Sequence, residues 1–149
     1  VIPAISTVRN GISWRQSVYY PLYFSSLYGR GESLQLKINS PKYSSDIADD
    51  VKYIDASAVI NEEEKTLSFF IINRSEKESV DLDFDINNLP IIKIIDQQII
   101  NHTNIYASNT INKPNEIVPK KTNIATFQNE NLMAKIPKLS YLFILLKIK

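Results

Sequence analysis

The chain contains no cysteine, which removes disulfides, thiolate zinc sites and cysteine nucleophiles at once while leaving the compartment open. Glycine is almost as scarce: Gly11, Gly29 and Gly31 are the whole supply, too few and too scattered for a phosphate-cradling loop. A single histidine, His102, means that a metal site would rest mainly on carboxylates and that a Ser-His-Asp triad would have to recruit this residue from a polar stretch. A solvated loop histidine is the simpler reading. Long hydrophobic runs are missing too. The longest, 139–146, is broken by Ser140 and falls far short of the roughly 20 residues of a membrane-spanning helix, so no membrane partner is expected. Nor is there an excess of either charge. Seventeen Lys and Arg oppose sixteen Asp and Glu, and a formal charge of +1 gives no field to draw nucleic acid. The opening Val1-Ile2-Pro3-Ala4-Ile5 lacks an initiator Met and a leader pattern and reads as the start of a cut piece, with any targeting signal outside it.

What is present suits one domain of ordinary size, 149 residues of which 44% are hydrophobic. The aromatics concentrate in 14–28, Trp-Arg-Gln-Ser-Val-Tyr-Tyr-Pro-Leu-Tyr-Phe-Ser-Ser-Leu-Tyr, with Gly29 placed as a helix C-cap. As a helix this segment puts Trp14, Val18, Leu22 and Ser26 on one face and Tyr19, Tyr20, Tyr23, Phe24 and Leu27 around the rest. Such a helix, apolar nearly all round, belongs in a buried place. Pro21 marks its first regular turn.

From about Leu34 the pattern shortens to period two. Val80, Leu82, Phe84 and Ile86 alternate with Asp81, Asp83 and Asp85, the pattern of a strand with one face on a core and one in water. Stretches 51–60 and 66–73 read as strands around the polar turn 61–65, and with 80–86 they predict a three-stranded meander. Further strands are expected at 91–100, 124–127, 132–136 and 141–148, with turn signals at 87–90 and 129–131. Many short strands and polar turns predict an all-β sandwich. The stretch 101–122, rich in Asn, Thr, Lys and Pro, is expected to cross the sandwich as an ordered loop.

Candidate chemistry is thin. The acidic clusters Asp46, Asp49 and Asp50, Glu62 to Glu64, and Asp81, Asp83 and Asp85 fall on turns or a wet strand face, where carboxylates stay ordinary. Trp14, Tyr43 and Tyr53 could stack on sugar rings, with core or interdomain packing as the competing use.

Taken together, Trp14-Arg15-Gln16-Ser17-Val18-Tyr19-Tyr20-Pro21 and Tyr28-Gly29-Arg30-Gly31 resemble the segment that closes the (β/α)8 barrel of glycoside hydrolase family 51 α-L-arabinofuranosidases. The resemblance continues, in order, through Asn39-Ser40-Pro41-Lys42-Tyr43, 53–59, Asn73-Arg74-Ser75, Ala107-Ser108-Asn109-Thr110, 112–115 and 136–140. Departures include Pro3-Ala4 in reversed order, Ser13 before the Trp, and Tyr141 where Trp is common.

The resemblance implies a jelly-roll β-sandwich at 33–149, preceded at 1–32 by the last strand, loop and helix of a catalytic barrel. It also implies the reaction, hydrolysis of terminal α-L-arabinofuranosyl residues from arabinan or arabinoxylan fragments with retention. That chemistry uses two carboxylates about 5 Å apart. Both glutamates of the family lie upstream of Val1, so the chain itself is expected to be non-catalytic, without cofactor or metal. Gln16 matches a family glutamine that reaches the sugar pocket, and Trp14 is expected to line the same pocket. The implied partners are the rest of the barrel, an arabinose-containing oligosaccharide and further copies in a homo-oligomer, in the cytoplasm. Two other readings are an independent carbohydrate-binding module, which needs a coplanar exposed set of rings, and a stand-alone lectin-like protein.

Overall fold

The computed structural model describes residues 3–86, 89–128 and 131–149. Its elements in chain order are β1 (Ile5–Thr7), β2 (Ser13–Arg15), α1 (Tyr19–Tyr28), β3 (Glu32–Leu34), β4 (Lys42–Tyr43), β5 (Val51–Lys52), β6 (Ile54–Asn61), β7 (Thr66–Asn73), β8 (Val80–Phe84), β9 (Ile91–Asn101), β10 (Lys120–Lys121), β11 (Ala125–Gln128), β12 (Asn131–Ile136) and β13 (Ser140–Ile148). Two antiparallel sheets form the sandwich, one ordered β10-β9-β13-β7-β6-β3 and the other β11-β12-β8. The pairs β1-β2 and β4-β5 stand apart. The expected all-β sandwich with one helix is therefore what the chain forms.

The centre of the large sheet explains its own sequence. β13 reads Ser-Tyr-Leu-Phe-Ile-Leu-Leu-Lys-Ile with almost no alternation. A strand with both faces covered carries apolar side chains on both. Leu142, Ile144, Leu146 and Ile148 point between the sheets, where they meet Leu67, Phe69 and Ile71 of β7 and Leu132, Ala134 and Ile136 of β12. Phe143 and Leu145 point the other way, onto Tyr20 and Phe24 of α1, Phe70, Ile100 and Ile117. The large sheet thus has a second sheet on one face and the helix on the other.

β8 corrects the expected meander. β6 and β7 do form a hairpin, Ile54 opposite Asn73 through Asn61 opposite Thr66. The neighbour of β7 on its other side is β13, however, and β8 crosses over to pair with β12. The composition of β8 explains this: Asp81 and Asp83 are exposed, which only a sheet with a water-facing side accommodates, whereas both faces of β7 and β13 are covered. The stretch 51–60 is likewise two strands rather than one. Tyr53 interrupts it, its backbone N–H donating to the Pro41 carbonyl. The turn signals at 87–90 and 129–131 include residues outside the described ones, Asn87, Asn88, Asn129 and Glu130.

The helix starts where Pro21 indicated. It begins at Tyr19, and Pro21 sits in its first turn, where the missing N–H costs no helical bond. Trp14 is not on it; that residue belongs to β2. Gly29 follows as expected, but its φ is −92°, outside the left-handed region. Glycine is needed there for space, since a Cβ would lie 2.5 Å from the Ser25 carbonyl oxygen. Only Tyr20 and Phe24 of α1 are buried. Val18, Leu22, Tyr23 and Leu27 are exposed, so the helix is buried on one side alone.

Candidate functional site

The N-terminal hairpin positions both sequence-selected residues. Ile5, Ser6 and Thr7 of β1 face Arg15, Trp14 and Ser13 of β2 across an antiparallel ladder. The ladder extends one step further, with the Gln16 backbone N–H on the Ala4 carbonyl at 2.9 Å. Side chains alternate along it: Ile5, Thr7, Ser13 and Arg15 are exposed, while Ala4, Ser6, Trp14 and Gln16 share the half-buried face. On that face the Gln16 amide nitrogen Nε2 donates to Ser6 Oγ at 2.9 Å. The structure therefore brings Gln16 and Trp14 together, and adds Ser6, which carried no signal in the sequence.

Trp14 is held from the other side. Its indole Nε1 donates to the Asn109 carbonyl at 3.0 Å. Asn109 is 2% exposed and makes three more bonds with its side chain: Nδ2 donates to the carbonyls of Arg15 (2.8 Å) and Ile117 (2.9 Å), and Oδ1 accepts the Ile117 N–H (2.7 Å). A buried carboxamide with both ends satisfied fixes the backbone around it. Through this one residue the connection between β9 and β10, residues 102–119, is latched to the hairpin; the expected loop 101–122 is shorter than its bounds because Asn101 closes β9 and Lys120–Lys121 form β10.

His102 lies in that loop. Its Nδ1 accepts the Asn104 N–H at 3.0 Å, and Nε2 lies 3.5 Å from Glu116 Oε1, which places it in a local loop network with Lys113. No serine bonds to it among the described residues, and the arrangement is that of a turn-former. Beside it a cavity of about 360 Å³ is bounded by Val18, which precedes α1, by Pro21 of α1, and by Ile105, Leu139 and Tyr141. The Tyr141 hydroxyl is buried and has no hydrogen-bond partner among the described residues; desolvation pushes its pKa far above the ordinary tyrosine range.

The other aromatic candidates are committed to packing. Tyr43 and Tyr53 stack on each other, ring centres 4.9 Å apart, and both are half-buried. Asn73 of the Asn73-Arg74-Ser75 motif is 1% exposed, its Nδ2 donating to the Ile136 and Pro137 carbonyls and its Oδ1 accepting the Ser75 N–H. This motif is a strut between β7 and the turn into β13.

Residues 1–140 match the model of the α-L-arabinofuranosidase C-terminal domain family. This chain belongs to that family. It is 36% identical over 147 residues to the intracellular exo-α-(1→5)-L-arabinofuranosidase 1 of Bacillus subtilis, covering 99% of this chain and 29% of that protein. The intracellular exo-α-(1→5)-L-arabinofuranosidase of Halalkalibacterium halodurans is 33% identical over 141 residues, covering 95% of this chain and 28% of its own length. Among solved structures, a family 51 α-L-arabinofuranosidase from Bifidobacterium longum superposes with a TM-score of 0.89 at 26% identity, over 99% of this chain and 28% of that one. The chain thus spans less than a third of the length of the curated relatives it matches.

Proposed function

We propose that this chain is the non-catalytic C-terminal part of a retaining α-L-arabinofuranosidase that removes terminal α-L-arabinofuranosyl residues from arabinan or arabinoxylan fragments. In this reading residues 1–32 complete the catalytic barrel and 33–149 form the accessory sandwich that supports it. The observation that carries the reading is the two-sided helix. Tyr20 and Phe24 bury one side of α1 on the large sheet, while Val18, Leu22, Tyr23 and Leu27 leave the other side apolar and uncovered. Exposed apolar side chains gathered along one helix mark a surface that is covered in its working state. The helix then belongs to both layers, sandwich on one side and barrel on the other.

Gln16 and Trp14 are proposed to reach the arabinofuranosyl unit from the barrel's last loop, the amide exchanging hydrogen bonds with sugar hydroxyls and the indole forming pocket wall. The relatives' description as intracellular supports a cytoplasmic site of action. Exposed Ile92 and Ile95 on β9 supply further apolar surface and support a homo-oligomer. An independent carbohydrate-binding module fits less well. Tyr43 and Tyr53 face each other, Trp14 is tied to Asn109, and the most exposed ring, Tyr106, stands alone on the loop.

The isolated chain tests the uncovered face. Sedimentation should show self-association that Leu22→Asp with Leu27→Asp abolishes. A wild-type fragment that stays monomeric at high concentration contradicts the proposed surface.

A further inference from the structure

We propose that Ser6 is a positioning residue for the Gln16 amide, and that it turns the amide oxygen, rather than the nitrogen, toward a hydroxyl of the bound sugar. The inference rests on the proposed role of Gln16 as a sugar contact and concerns how that contact is oriented.

A carboxamide is planar, with an acceptor at one end and a donor at the other, and a free glutamine presents either to a ligand. Here the nitrogen end is taken: Nε2 donates to Ser6 Oγ at 2.9 Å. Oε1 has no protein partner among the described residues. Fixing one end of a planar group fixes the direction of the other, so the hairpin offers an acceptor oxygen to its surroundings. That geometry suits a hydroxyl donating its hydrogen, the commonest polar group on a furanosyl ring.

The placement of Ser6 supports this. Its Cα is paired with that of Trp14 across the β1–β2 ladder, and the Gln16 backbone is bonded to Ala4, so serine and glutamine stand on adjacent steps of one rigid face. The backbone on both sides is thus held independently of the side-chain bond. Removing the hydroxyl frees the amide to rotate without undoing the hairpin.

The test is steady-state hydrolysis of p-nitrophenyl α-L-arabinofuranoside by the full-length protein carrying Ser6→Ala, Ser6→Thr, Gln16→Ala, or Ser6→Ala with Gln16→Ala. An interaction made equally in ground and transition states appears in KM with kcat unchanged. Losing the orienting bond should raise KM roughly fivefold in Ser6→Ala, the scale of one neutral hydrogen bond. Ser6→Thr keeps the hydroxyl and suits a strand, and should restore the wild-type KM. In the Gln16→Ala background Ser6→Ala should add nothing, because its target is gone. General damage to the hairpin would persist in that background, so a multiplicative effect of the two substitutions overturns the inference. So does a Ser6→Ala KM at the wild-type value while Gln16→Ala raises it, or a Ser6→Thr that behaves like Ser6→Ala. A Gln16→Ala enzyme with unchanged KM is a different failure: it removes Gln16 from the sugar site, and the role of Ser6 with it.

Discussion

Phe24 of α1 lies flat on Phe143 of β13, ring centres 4.7 Å apart and planes 8° from parallel. Phe143 is fully buried, and Tyr28 and Phe70 close on it at 5.0 and 5.6 Å. This aromatic stack is the joint between the helix and the sandwich. Phe143→Ala should lower unfolding stability by about 4 kcal/mol and Phe24→Ala by about 3 kcal/mol, the range for truncating a buried phenylalanine. A double-mutant cycle by denaturant unfolding should return a coupling of about 1 kcal/mol for the pair. Additive losses would mean that the rings do not act together.

The Asn109 latch predicts a local effect. Asn109→Ala removes three side-chain hydrogen bonds in a buried place, costing about 2–3 kcal/mol and leaving the Ile117 N–H without its acceptor. The loss should concentrate in the loop: amide exchange and limited proteolysis should accelerate between 101 and 119 well before the sheets respond. Uniform acceleration across the sandwich would show the latch to be global.

Tyr141 carries a hydroxyl that the described residues leave unsatisfied. Tyr141→Phe removes that unmet donor, so it should be neutral or stabilising by up to about 1 kcal/mol at neutral pH. Its folded pKa is raised by desolvation. The stability tied to it is therefore intact below the unfolded tyrosine pKa of about 10 and declines as pH rises beyond that value. Stability of the wild-type chain should fall more steeply above about pH 10 than that of Tyr141→Phe. Parallel curves would show that the hydroxyl is not desolvated in solution.

How much of this was legible in the sequence follows from the range of each interaction. β7, β9, β12 and β13 stand where their apolar patterns put them, because those patterns are local consequences of lying on a core. The partner of β8 was not legible: the choice between β7 and β12 is made by β13, about 60 residues further along the chain, which takes the place beside β7. The β1–β2 hairpin that carries Trp14 escaped because three-residue strands are too short to display a period. Gln16 and Trp14 entered through resemblance rather than pattern. Ser6 gave no signal, and Asn109 entered only within the resembling motif Ala107-Ser108-Asn109-Thr110, since a serine or asparagine among polar neighbours reveals neither its burial nor its partner.

In the proposed function this chain serves a catalyst whose carboxylates lie elsewhere in the protein. Hydrolysis of p-nitrophenyl α-L-arabinofuranoside by the full-length protein beside the 149-residue chain tests it most directly. Turnover is expected from the full-length protein and none from the chain alone. Turnover by the chain itself, abolished by substituting one of its own carboxylates, would contradict it.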